Sequence, residues 1–253
     1  ASDAVAMHGH ADELIYLDDE QLAILTATGI DVLDRVTLEP SVPFVVPLQA
    51  ADNDIDLGPH PHFMAKEMSE QPRSLRRLVL EGREEISALA GAVRDADRIL
   101  LVGCGTAANA ALAGSYIFSE LCGREANLIP ASEFRYRSAY LDERTLVVAI
   151  SQSGETIDVL EAVHEAQKRG ARVAAIVNTA NSSLDREVST AVHLRSGTEQ
   201  CVLATKSYTA MLATLILTAC EVNDDWDSGA QAVTRAADTI EAMLSSDTLP
   251  QLQ

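Results

Sequence analysis

The sequence predicts an α/β fold, a doubly wound five-stranded parallel sheet preceded by a short β-rich segment. Three observations predict it. Beyond Phe63, five runs that are apolar from end to end alternate with segments of helical periodicity. Strands apolar on both faces belong in a sheet covered on both sides. Apolar residues make up 47% of the 253 residues but aromatics only 4%, so the core must be built mainly from Ala, Val, Leu and Ile. Before Phe63 the pattern is different, with short apolar runs separated by turn residues, which is the pattern of β-hairpins.

Taken in order, the elements divide the chain into four stretches. Residues 1–36 hold the hairpin-like runs, among them Leu14-Ile15-Tyr16-Leu17 and Leu22-Ala23-Ile24-Leu25. Residues 37–62 carry Pro40, Pro43, Pro47, Pro59 and Pro61, which predicts a linker. Residues 63–222 form the α/β domain. Helical periodicity covers Met64–Glu70 and Pro72–Ala90, with Pro72 suited to a first turn. Strands are predicted at Arg98–Val102, Ala126–Ile129, Thr145–Ile150, Ala171–Val177 and Thr190–Leu194. Helices between and after them are predicted over 106–122, 132–139, 156–169, 182–187 and 203–222. A further helix over 229–245 lies in the last stretch, 223–253, read as the start of a connection. The chain opens Ala1-Ser2-Asp3-Ala4 without methionine and stops after a helical pattern, which leads us to expect a piece of something longer.

Charge narrows the partners. The formal net charge is −19, with Lys66, Lys168 and Lys206 the only lysines. A nucleic-acid binder needs a basic footprint, so that class is excluded. No apolar run reaches the length of a membrane span, and no signal-peptide pattern is present, so a cytoplasmic protein without a membrane partner is expected. Dispersed acids on an apolar-rich chain fit folding in a high-salt cytoplasm, where screening suppresses self-repulsion. Cys104, Cys122, Cys201 and Cys220 lack metal-like spacing and are expected as small buried thiols.

Chemistry is sought beyond the carboxyl ends of the strands, where such sheets bind ligands. Arg98–Val102 runs into Gly103-Cys104-Gly105-Thr106, and Thr145–Ile150 runs into Ser151-Gln152-Ser153-Gly154-Glu155-Thr156. Each loop opens a helix, whose free N–H groups and dipole favour an anion. Ser151, Ser153 and Thr156 add hydroxyl donors, and Gly154 permits close backbone approach. A second reading stays open, in which Ser151 or Ser153 merely caps the following helix. A dinucleotide fingerprint fails because Ala108 replaces its third glycine, and a P-loop fails because no Gly-Lys-Ser/Thr follows. Hydroxyl-rich loops without lysine or metal ligands favour a small phosphate monoester, with no cofactor.

In order, Cys104-Gly105-Thr106, Ala131-Ser132-Glu133-Phe134-Arg135-Tyr136-Arg137 and Ser151-Gln152-Ser153-Gly154-Glu155-Thr156 resemble a sugar isomerase (SIS) domain. More narrowly, they resemble the first of two such domains in the glutamine–fructose-6-phosphate aminotransferase family. Pro61-His62-Phe63-Met64, Lys66-Glu67-Met68 and Glu70-Gln71-Pro72 are similar to that family's segment leading into its isomerase half. Residues 1–30 resemble the closing strands of its glutaminase domain. The resemblance implies a sugar-phosphate partner, fructose 6-phosphate or glucosamine 6-phosphate, and a homodimer formed through SIS domains. It implies binding by Cys104, Gly105 and Thr106, by Ser151, Gln152, Ser153, Gly154 and Thr156, and by Val202. Two family serines are replaced, by Ala107 and Ala204. By the same resemblance the catalytic groups lie outside this chain, so the fragment is expected to bind without turning over.

Other residues invite blander readings. Glu155 and Glu199 are expected as helix-start carboxylates, Lys206 as a structural cation, and His62 and His164 as non-ligands. Trp226, between Asp225 and Asp227, is expected as a partly exposed linker aromatic. Two alternatives to the aminotransferase reading are a regulatory SIS module that senses a phosphosugar, and an isomerase or deaminase acting on another aminosugar phosphate.

Overall fold

The computed structural model describes residues 7, 10–18, 20–47 and 56–245. Expectations placed on Ala1–Ala4, on 48–55 of the linker and on 246–253 lie outside the described residues. The chain divides into two units, Ala1–Ile55 and Asp56–Gln253.

The described part of the first unit holds the strands β1 (Glu13–Tyr16), β2 (Gln21–Thr26), β3 (Gly29–Asp34) and β4 (Phe44–Pro47). β2 and β3 form an antiparallel hairpin in which Thr26 pairs with Gly29. The Thr26 hydroxyl closes the turn by donating to the Gly29 carbonyl at 3.0 Å. β1 pairs with β4, also antiparallel. The latter strand lies inside the stretch expected to be a linker. Prolines masked it: Pro43 precedes the strand and Pro47 ends it, positions where a missing N–H is tolerated. Val32 is the one apolar side chain that is buried among this unit's described residues, whereas Leu22, Ile24, Leu25, Ile30, Phe44 and Val45 are exposed.

The second unit contains a parallel sheet of five strands, β5 (Arg98–Gly103), β6 (Ala126–Pro130), β7 (Thr145–Ser151), β8 (Arg172–Val177) and β9 (Ala191–His193). Their spatial order is β6-β5-β7-β8-β9, which is the doubly wound arrangement. Alternation of side chains splits the core in two. Ile99, Leu101, Leu146, Val148 and Ile150 face α1 (Phe63–Glu81), α2 (Arg83–Arg94), α3 (Gly105–Cys122), α6 (Lys206–Val222) and α7 (Trp226–Leu244). Leu100, Val102, Val147 and Ala149 face a 3-10 helix (Ala131–Arg137), α4 (Ile157–Lys168) and α5 (Ser183–Glu187). The segment expected as a helix over 132–139 is that 3-10 turn.

Three further expectations are corrected. Pro72 does not open a helix; it lies inside α1, which runs unbroken to Glu81, and the break falls at Gly82. Proline cannot donate to the Met68 carbonyl four residues back. The Gln71 side chain does so instead, at 3.1 Å. Trp226 is buried, not a linker aromatic: it opens α7 with Asp225 as N-cap, and its ring joins the core while Arg83 stacks 5.3 Å from its centroid. The segment read as a connection therefore supplies core residues, Val233 and Ala237 among them. Finally, the four cysteines are partly exposed rather than buried.

Candidate functional site

Val102 of β5 lies beside Ala149 of β7, so the loops that follow the two strands emerge side by side. Between them is a cavity of about 190 Å³. Among the residues predicted from sequence, Cys104, Thr106, Ser151, Gln152, Ser153, Thr156 and Val202 line it. Gly105 and Gly154 are not in its wall; they shape the loops, with φ of +54° and +71°. At Gly154 no other residue fits, because a Cβ there would overlap the Ser182 side chain.

Hydrogen bonds inside the second loop test the reading of its serines as helix caps. The Ser151 hydroxyl accepts from the Gly154 N–H at 3.0 Å and stands 3.2 Å from the Thr156 hydroxyl. The Ser153 hydroxyl accepts from the Glu155 N–H at 3.2 Å. Both stabilise the turn ahead of α4 and neither caps that helix, whose N-cap is Thr156 with no side-chain cap bond. The N-cap of α3, Cys104, likewise makes none. Two helix N-termini thus bring donors without side-chain acceptors to one cavity, the arrangement that suits a multivalent anion.

The third helix end at the cavity is already occupied. Glu199 lines the cavity and accepts from the N–H groups of Thr205 at 2.9 Å and Ser207 at 3.3 Å, and from the Ser207 hydroxyl. It fills the anion slot of α6 with a carboxylate of the protein itself. Glu155 does the same for α5, accepting from the Ser183 N–H at 2.8 Å. Lys206 is 1% exposed, with its ammonium 2.6 Å from Glu70, so it is a structural cation. His62 caps α1 and His164 faces Glu187 at 2.7 Å. Burial pushes the Cys104 thiol above its ordinary pKa, and nearby Asp158 pushes the same way, so it is not a ready thiolate. Ala107 and Ala204 both line the cavity, at the positions where the resembled motifs carry serine. Among the described residues no cluster of His, Cys, Asp and Glu is arranged for a metal.

Sequence reading missed two features. Ile150, Cys201 and Met211 complete the wall; all three sit in segments whose apolarity signals only core. It also missed a charged cluster at the end of β9, where His193 lies 3.2 Å from Glu85 and 3.1 Å from Asp185, and Arg195 bonds Glu85 at 2.8 and 2.9 Å. The hydrogen bonds that the His193 ring donates to Asp185 and then Glu85 raise its pKa to about 9. Burial raises the Glu85 pKa, but the bonds from His193 and Arg195 prevail and hold it at about 2.

A doubly wound sheet that gathers hydroxyls and uncapped helix N-termini at adjacent strand ends defines an α/β domain with a site suited to an anion. Residues 92–220, just over half of the chain, match the SIS domain family, and the chain belongs to it. It is 39% identical over 229 residues to glutamine–fructose-6-phosphate aminotransferase (isomerising) of Symbiobacterium thermophilum, a match covering 87% of this chain and 37% of that protein. A Thermus thermophilus enzyme of the same name is 39% identical over 228 residues, with the same shares covered. The chain thus spans little more than a third of the length of these relatives. Among solved structures it resembles the C-terminal domain of glucosamine-fructose-6-phosphate aminotransferase from Francisella tularensis, with TM-score 0.63 and 27% identity over 77% of this chain and 56% of that one. It also resembles glucosamine-6-phosphate deaminase from Thermotoga maritima, with TM-score 0.59 and 26% identity over 70% of this chain and 54% of that one. No described helix is long and apolar enough to cross a membrane.

Proposed function

We propose that this chain is the phosphosugar-binding part of a glutamine–fructose-6-phosphate aminotransferase, and that alone it binds fructose 6-phosphate or glucosamine 6-phosphate without converting either. The observation that carries this reading is the cavity where the hydroxyls of Thr106, Ser151, Ser153 and Thr156 meet two helix N-termini without side-chain caps. A phosphate offers enough acceptor oxygens to use these donors together, and an uncharged sugar does not. The nine sequence-predicted residues, Cys104, Gly105, Thr106, Ser151, Gln152, Ser153, Gly154, Thr156 and Val202, are the binding residues in this proposal.

Binding without catalysis is supported by how the charged groups are used. Glu199 and Glu155 are engaged by helix N-termini and Lys206 by Glu70, which leaves none of them poised as an acid, a base or an amine nucleophile. The aminotransferase assignment is favoured over a stand-alone isomerase, deaminase or sensor because the match to the aminotransferases covers 229 residues and extends well outside 92–220. In this reading residues 1–36, with β4, are closing strands of a glutamine amidotransferase domain, and their exposed apolar side chains face what completes that domain. Residues 37–62 lead into the SIS domain, and 223–253 toward a second one. The whole enzyme is a cytoplasmic homodimer of a high-salt cell.

The test is thermal. Fructose 6-phosphate and glucosamine 6-phosphate should raise the Tm of the 253-residue chain, because a ligand bound only by the native state stabilises it. Glucosamine should leave Tm unchanged. Equal shifts with and without the phosphate would reject the reading.

A further inference from the structure

We propose that Glu67 is a positioning residue that sets the sugar-facing wall of the cavity; the assignment rests on the phosphosugar reading above. Glu67 lies on α1, outside the loops that the phosphate would occupy, and is 2% exposed. One carboxylate oxygen accepts from the backbone N–H groups of Gln200 at 2.6 Å and Cys201 at 3.0 Å. The other is buried with no hydrogen-bond partner. Fastening a helix to a loop needs no buried charge, and a carboxylate with an idle buried oxygen is a costly way to do it. What the one engaged oxygen achieves is to fix two successive amides of one backbone segment.

That segment is the lip of the cavity. Cys201, Val202 and Ala204 line it, yet Val202 is 99% exposed, so packing of its own side chain does not hold the lip in place. Glu67 anchors the lip at Gln200 and Cys201, and Glu199 anchors its far end by bonding Thr205 and Ser207. The same helical turn of α1 braces the start of α6: Glu70 pairs with Lys206, and Gln71 accepts from the Thr209 hydroxyl at 2.6 Å. Of the Lys66-Glu67 and Glu70-Gln71 pairs singled out in the sequence, Glu67 thus holds the cavity lip, opposite in role to the hydroxyl loops, while Glu70 and Gln71 hold the first turn of α6. The loops take the phosphate; the lip, through Glu67, sets the fit of the sugar.

The experiment compares affinities for glucosamine 6-phosphate and for inorganic phosphate in the full chain and in Glu67→Ala and Glu67→Gln, with hydrogen exchange read at Gln200 and Cys201. Glu67→Ala should weaken glucosamine 6-phosphate about tenfold and change inorganic phosphate less than about twofold, while the two amides lose protection. Glu67→Gln keeps an acceptor oxygen and should retain both the affinity and the protection. If Glu67→Ala does not fold, Glu67→Asp, one methylene short of the loop, replaces it and the same ratio decides. A lower Tm with an unchanged ratio of the two affinities would overturn the proposal, as would Glu67→Gln behaving like Glu67→Ala. Failure of the unaltered chain to bind glucosamine 6-phosphate is a separate result, which would reject the phosphosugar reading itself.

Discussion

At the scale of single residues, the candidate site leaves some donors without side-chain acceptors and commits others. Ser151 and Ser153 turn their oxygens toward turn amides, and Thr156 leaves α4 without a side-chain cap. The Ser153 hydroxyl hydrogen, and one of the two carried by the bonded Ser151 and Thr156 hydroxyls, remain for a ligand in the proposed reading. Ser153→Ala and Thr156→Ala should each weaken phosphosugar binding about tenfold or more, since a hydrogen bond to a charged group is worth roughly 1.5–3 kcal/mol. Calorimetric titration of each variant checks this, and unchanged affinity with a lowered Tm would return the loop to a purely structural role. The His193 cluster makes a different prediction. Its folded pKa of about 9 exceeds the ordinary 6.5, so its contribution to stability is full below 6.5 and is lost as pH rises through about 9. Glu85 runs the other way, its contribution being present above 4.5 and lost as pH falls through about 2. Melting curves should therefore decline on the alkaline side, between pH 6.5 and about 9, and His193→Gln should flatten that decline.

At the scale of elements, the α/β part was legible because the physics is local. All five strands of the parallel sheet were readable as apolar runs, and the loops after β5 and β7 as turn residues in front of a helix. What was not legible depended on partners distant in sequence. β4 hides between prolines and exists through pairing with β1. The continuity of α1 through Pro72 is the local exception, where the Gln71 side chain donates to the carbonyl that proline cannot reach. The burial of Trp226 depends on α7 folding back onto α1 and α6. In the site, the hydroxyls were readable, and so was Glu199 as a carboxylate at the start of a helix, but the reach of Glu67 to residues 200 and 201 was not, because it is a tertiary contact. The division into two units gives the prediction proper to this scale. Deleting residues 1–55 should leave phosphosugar affinity and the main melting transition unchanged, since both cores of the parallel sheet are built from residues beyond Asp56. Loss of cooperative melting in the shortened chain would show that the sheet domain depends on the first unit.

At the scale of the whole molecule, a net charge of −19 acts on stability through self-repulsion, and salt screens it. Raising potassium chloride from low to molar concentration should raise Tm, and a Tm insensitive to salt would contradict the high-salt reading. The same charge makes an anion an unfavourable guest for most of this surface. A phosphosugar must therefore be held by donors concentrated at one place, and the ends of β5 and β7 are where the fold gathers them. Amide chemical shifts followed during titration with glucosamine 6-phosphate test this directly. The account predicts that the largest changes fall on Gly105 and Thr106 at the start of α3, on Ser151–Thr156, and on Ile157 and Asp158 at the start of α4. Shifts centred on the α7 surface, or spread without a maximum at these two helix N-termini, would contradict it.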